Sequence, residues 1–154
     1  MDFTIEIEVI PTGTLLAASG DAQNMAVLEL KGLYVGLGYY ARDKIILDTS
    51  DAVRYLFSGY CVNFHKSNPT SATTFYQSGM ADANVLEIFN VLDQLPENVT
   101  GIAAIQTAIF VVTDDVSYSE LENRFPDGVD EIQNARTILE TAGIDISDKR
   151  LFSE

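Results

Sequence analysis

The chain has one cysteine, one histidine, four prolines and no tryptophan among its 154 residues. One cysteine excludes an intrachain disulfide and any multi-cysteine zinc site, and one histidine leaves too few nitrogen ligands for a closed zinc site without carboxylates. Positive charge is also scarce: nine Lys and Arg face 23 Asp and Glu, for a net charge of −14. Phosphate binding rests on clustered basic residues, so nucleic acid and anionic membrane surfaces are excluded as partners. No apolar run approaches the roughly 18 residues of a membrane span, so membrane insertion is not expected. Met1 leads directly into an alternating strand pattern without a basic and then apolar leader, as expected of a cytosolic protein or of a domain excised from a larger one.

What is present is a folded domain's worth of apolar residues. The hydrophobic fraction is 47%, with 8 Phe and 7 Tyr, which sets the chain apart from disordered sequences, and the length fits one domain over 1–154. Residues 1–66 read as strands. Phe3, Ile5, Ile7 and Val9 alternate with Thr4, Glu6 and Glu8, the period of a strand with one wet face. Short runs follow at Thr14 to Ala18, Ala26 to Leu30, Leu33 to Tyr40, Lys44 to Leu47, Val53 to Phe57 and Gly59 to Phe64. They are punctuated by Gly13, Gly20, Gly32 and an Ala41-Arg42-Asp43 turn, and Pro69 breaks the last into a loop.

Residues 81–143 change to helical spacing. Val85, Leu86, Ile88, Phe89, Val91, Leu92 and Leu95 form one apolar stripe behind an Asp82 cap. Thr100 is placed to cap a second helix, Gly101 to Val112, apolar on almost every side; this is a stronger reading of Thr100 than the glycosylation sequon Asn98-Val99-Thr100. Ser117 with Glu120, or Ser119 with Glu122, offers a capping box for a third helix ending near Phe125-Pro126. A fourth, Val129 to Ala142, stops at Gly143. Strands first and helices afterwards predict an α+β fold, an N-terminal antiparallel β-sandwich or barrel followed by a helical part.

Two residues stand out chemically. Cys61 lies in Gly59-Tyr60-Cys61-Val62-Asn63, and Gln106 lies among Ile102, Ile105 and Ile109, where a helix turns its amide inward. A buried amide needs partners, because leaving it unpaired costs about 1–3 kcal/mol. It is either hydrogen-bonded, tying helix to strand, or covalently consumed. A thiol pressed against a carboxamide away from water can expel ammonia and form an internal thioester. An extended strand would put His65 on the face of Cys61 and Asn63 but about 13 Å from the thiol, too far to activate a thiolate, which disfavours a Cys/His hydrolase. Asp114-Asp115 and Asp145 with Asp148 lack the spaced ligands of a calcium loop and read as caps and turns. No metal and no cofactor is called for.

Tyr60-Cys61-Val62-Asn63 resembles the aromatic-Cys-apolar-Asn/Asp motif of the thioester domains of Gram-positive surface adhesins. Ile105-Gln106-Thr107-Ala108-Ile109-Phe110 resembles their Thr-Gln-x-Ala-apolar-Trp motif, with Ile105 in place of Thr and Phe110 in place of Trp. Val112-Thr113-Asp114-Asp115 and Ala142-Gly143-Ile144-Asp145 are also similar to segments of that group. A further apolar-Gln-x-apolar-apolar motif has no clean counterpart between Cys61 and Gln106, an interval shorter than the family's; Gln77 is the nearest approach to it.

The resemblance implies a thioester between Cys61 and Gln106, with Tyr60, Asn63, Thr107 and Phe110 in supporting positions; backbone N–H groups, or tyrosine hydroxyls such as Tyr60 or Tyr76, are the candidate oxyanion donors, and nothing in the sequence selects among them. It implies a secreted or surface-anchored adhesion module, part of a larger protein. Such a module captures an amine or hydroxyl on a protein or glycan surface in one turnover, without being an enzyme. The alternative from the residues alone is a non-covalent interaction or structural domain in which Cys61 is inert.

Overall fold

The computed structural model describes residues 2–6, 11–35, 38–40, 44–48 and 53–153, and in 2–6, 30–35, 38–40, 44–48 and 53–57 it describes the backbone alone. The Ala41-Arg42-Asp43 turn and residues 7–10 of the first expected strand lie outside these. Among the described residues seven strands are formed: β1 (Asp2–Glu6), β2 (Thr14–Ala18), β3 (Met25–Val35), β4 (Gly38–Tyr40), β5 (Lys44–Asp48), β6 (Val53–Cys61) and β7 (Phe75–Met80). β1 and β5 make a two-stranded antiparallel ribbon, with Asp2 opposite Asp48. The other five make an antiparallel sheet in which β3 carries β2 and β4 along one side and β6 along the other, with β7 beyond β2.

This sheet is open. A closed barrel, one of the two expected forms, is not what the strands build: β7 pairs only with β2, and β6 only with β3, among the described residues. Two runs read separately, Val53 to Phe57 and Gly59 to Phe64, are one strand that stops at Cys61. The register against β3 shifts between Val27 and Glu29 and again between Leu30 and Gly32. Such irregularities add local twist without ending a strand, so Ser58 and Gly59 interrupt the apolar pattern but not the backbone ladder. After Cys61 the strand ends, and Phe64-His65 form a turn. The expected shared face of Cys61, Asn63 and His65 therefore does not form.

Among the described residues five α-helices follow: α1 (Ala83–Val91), α2 (Ile102–Asp114), α3 (Tyr118–Arg124), α4 (Ile132–Thr141) and α5 (Arg150–Ser153). Asp82 caps α1 by accepting from the Asn84 amide at 2.9 Å. Ser117 and Glu120 form the reciprocal capping box of α3, and Gly143 takes φ +75° behind α4. The α2 cap differs from expectation: Gly101 is its N-cap, and the Thr100 hydroxyl turns back to the Pro96 carbonyl. The Asp127-Gly128 turn is a 3-10 segment over Pro126–Glu131 that shortens the front of the fourth helix.

α2 is the central element. Ala104, Ile105 and every residue from Thr107 to Val111 are buried on it, among Ile88 and Phe89 of α1, Ile138 and Leu139 of α4, and Tyr60 of β6. Ile102, expected on the inner stripe, is 78% exposed, while Ala104 and Ile105 of the same turn are buried. The site is set by this arrangement: the last residue of β6 has β3 on one edge and α2 on the other.

Candidate functional site

Cys61 ends β6 opposite Met25, and its other edge meets the second turn of α2. The Cys61 amide donates to Gln106 Oε1 at 3.0 Å, and Gln106 Nε2 donates to the Cys61 carbonyl at 2.8 Å. The carboxamide thus takes the place of a neighbouring strand, satisfying the edge backbone of one residue with a donor and an acceptor. Both bonds land on the same residue, so the carboxamide carbon is held beside the Cα that carries the thiol.

Three consequences follow from this clamp. The carbonyl oxygen already receives an N–H, the arrangement that stabilises a developing oxyanion. The nitrogen that would leave as ammonia sits on a carbonyl acceptor. The thiol itself is free and half-buried, and burial raises its pKa above the ordinary value. It stays protonated at neutral pH, so any attack on the carboxamide draws on proximity rather than on a large thiolate population.

The thiol and Gln106 open onto a cavity of about 170 Å³. Its walls are aromatic: Phe64 stands edge-on to Phe110 with centroids 5.0 Å apart, and Phe110 edge-on to Phe125 at 6.0 Å. Arg124 lies at its rim, its guanidinium 5.5 Å from the Phe64 ring centroid and donating to the Lys66 carbonyl. Gln23 and Asn68 also line it. Gln23 is 2% exposed, and its Nε2 donates to Asn68 Oδ1 at 3.1 Å. Its Oε1 is buried with no partner.

The supporting residues divide. Phe110 faces the cavity. Thr107 is buried behind it, donating to the Ala103 carbonyl at 2.7 Å. Asn63 turns away from the thiol to accept from the Asn24 amide at 2.8 Å, fixing the chain just after the strand. Tyr60 points to the opposite face of β6, tilted against Phe89 at 6.1 Å; burial, then the nearby Glu29 charge, raises its phenol pKa. Tyr76 is 65% exposed on β7, and Gln77 is also exposed there. Neither tyrosine is the donor at Gln106; the Cys61 amide fills that place.

The turn after Cys61 is fastened to α2 and α3 by carboxylates. The Phe64 amide donates to Asp114 Oδ2 at 3.1 Å. His65 Nε2 lies 2.7 Å from Glu120 Oε2, and Nδ1 lies 3.8 Å from Asp114 Oδ1. Arg150 reaches Glu120 Oε1 at 2.8 Å. The hydrogen bond with His65, reinforced by Ser117 and the Arg150 charge, pulls the Glu120 carboxyl down to about 2. The imidazole is committed to Glu120, so it is not placed as a thiol activator. Asp115 accepts from the Arg150 amide and Asp145 from the Ser147 amide, each at 2.9 Å, so Asp145 serves a local turn as expected, whereas Asp115 ties the end of α2 to the start of α5. No group of three or more His, Cys, Asp or Glu among the described residues is arranged to hold a metal.

Comparison with protein-family models, curated proteins and solved structures finds no match. Sequence reasoning paired Cys61 with Gln106 but passed over Gln23. A signal for it exists: Ala22-Gln23-Asn24-Met25-Ala26 has the apolar-Gln-x-apolar-apolar pattern, ahead of the cysteine rather than between cysteine and Gln106. Asn68 carries no sequence signal beyond its place before Pro69.

Proposed function

We propose that this chain is a surface adhesion module whose Cys61 and Gln106 form an internal thioester that reacts once with a nucleophile on a partner surface. The observation that carries the reading is the two-bond clamp between the Gln106 carboxamide and the Cys61 backbone. In ring closure the thiol sulfur adds to the Gln106 carbonyl carbon, the C–N bond breaks, and the thiol proton leaves with the amide nitrogen as ammonia. In the capture step the lone pair of an amine or hydroxyl adds to the same carbon. The C–S bond then breaks, and the nucleophile's proton passes to the sulfur, leaving the partner joined through residue 106. The cavity's aromatic walls limit water around the bond until a nucleophile enters. In this reading the β1–β5 ribbon and the five-stranded sheet are the two layers of the expected sandwich. The module belongs to a larger extracellular or surface-anchored bacterial protein, and its partner is a protein or glycan.

A second reading has its own support. Two hydrogen bonds give each end of the Gln106 amide a partner, and burial keeps the thiol protonated, as suits a non-covalent interaction or structural domain in which the glutamine pins α2 to β6. Intact mass separates the two readings. The thioester predicts a protein lighter than its sequence by one ammonia, with the deficit abolished by Cys61→Ala. Full mass together with a titratable thiol selects the second reading.

A further inference from the structure

Gln23 combines features that a purely structural glutamine would not need. Its side chain is 2% exposed, yet Oε1 has no partner. Unpaired buried acceptors are rare in folded proteins because the group has lost its water without replacement. The other end of the Gln23 amide and its backbone are tied to the loop opposite. Its Nε2 is held by Asn68 Oδ1 at 3.1 Å, and its own backbone N–H donates to the Ser67 carbonyl at 2.9 Å. Residues 22 and 67 form a parallel bridge, which joins this segment to the loop carrying Asn68. The residue so fixed lines the same cavity as Cys61 and Gln106.

We propose that Gln23 receives and orients the nucleophile that attacks the Gln106 carbonyl carbon, its Oε1 accepting a hydrogen bond from the incoming N–H or O–H. This rests on the thioester reading above. A neutral amide oxygen can hold a hydrogen but not remove it, so the proton released in the attack goes to the departing Cys61 sulfur. A primary amine suits this division: one N–H stays on Gln23 while the other is lost as the new C–N bond forms and C–S breaks. A hydroxyl has only one hydrogen for both tasks, and so does its attack less good service from the same acceptor. Asn68 acts through Gln23 as a positioning residue.

The test is the reaction of the purified protein with methylamine, followed by intact mass, in wild type, Gln23→Met and Asn68→Ala. Methionine keeps the length of the side chain without the acceptor. Asn68 is exposed, so its truncation leaves the core alone. Where the ammonia deficit is present, the rate of methylamide formation is expected to fall about tenfold in Gln23→Met, the effect of losing one well-placed hydrogen bond in the transition state, and severalfold in Asn68→Ala. The ratio of methylamide to hydrolysed product should fall in both, a partition that loss of stability alone does not move. A Gln23→Met protein that carries the deficit and forms methylamide at the wild-type rate and ratio overturns the assignment while leaving the thioester standing. If Gln23→Met has full mass, Asn68→Ala decides: an unchanged rate and ratio overturns the assignment. Full mass in both variants also overturns it, placing the pair in ring closure instead. Full mass in wild type removes the thioester and this inference together.

Discussion

Gln106 commits both ends of its carboxamide to one residue, and that economy links stability to reactivity. The bonds go to the Cys61 backbone, so they survive replacement of the thiol but not of the glutamine. Gln106→Leu keeps an apolar helix surface yet strands an N–H and a carbonyl at the end of β6, a loss of about 1–3 kcal/mol. A domain of this size loses roughly 2–4 °C of melting temperature per kcal/mol. Gln106→Leu is therefore expected to melt several degrees below Cys61→Ala, measured side by side by thermal denaturation. Neither variant can hold a thioester, so the difference isolates the clamp. Equal melting temperatures would contradict it. The thiol contributes differently: with its pKa raised by burial, it is a poor reagent for anything in bulk solution and suited only to a carbon pressed against it.

At the scale of elements, the clamp depends on where α2 lies, and α2 is placed by packing on nearly every side. Behind the site, α2 packs closely against the 3-10 segment before α4 at Gly128. A Cβ built on Gly128 would lie 2.4 Å from Thr107 Oγ1 and 2.8 Å from the Phe125 ring. Gly128→Ala forces that segment off α2 and is expected to destabilise the protein by about 1–3 kcal/mol, as overpacking does. A denaturant midpoint unchanged from wild type would show that the segment yields freely.

The sequence announces what is local. The Asp82 cap, the Ser117/Glu120 box and the stop at Gly143 each rest on residues within one turn of where they act, and each forms. Thr100 failed as a cap because a neighbouring glycine could start the helix, leaving the hydroxyl to bond backward. Ile102 matched the helical period, but burial depends on what stands opposite, and Ile102 is left in solvent while Ala104 and Ile105 of the same turn are buried. β6 was split in two because side-chain pattern, not the backbone ladder, is what a sequence displays. Cys61 and Gln106 stand out singly, one as the lone thiol and one as an amide on an apolar helix, but they lie 45 positions apart, and it is the resemblance that supports joining them. Gln23 was missed because an unpartnered acceptor is visible only once its neighbours are placed.

Across the whole molecule, the turn leaving the thiol is strapped to the helical half through Asp114, His65, Glu120 and Arg150. Glu120 ties α3 to this turn and to the start of α5, and its carboxyl is held near 2, below its ordinary 4.5. A depressed carboxyl stabilises the fold above the unfolded value and loses that contribution as pH falls through the folded one. Glu120→Gln should therefore cost stability at neutral pH, and the gap from wild type should close between about pH 4.5 and pH 2, followed by denaturant unfolding at stepped pH. A gap constant across that window would show that the strap works without the charge.

A bond between Cys61 and residue 106 is written in the mass of the protein: the intact mass of the freshly purified chain, then the mass of the peptide carrying residue 106 after methylamine treatment. A thioester gives a deficit of one ammonia, absent in Cys61→Ala, and a methylamide at residue 106 with Cys61 released as a free thiol. Full mass before treatment, with Gln106 unmodified after it, would show that no such bond forms.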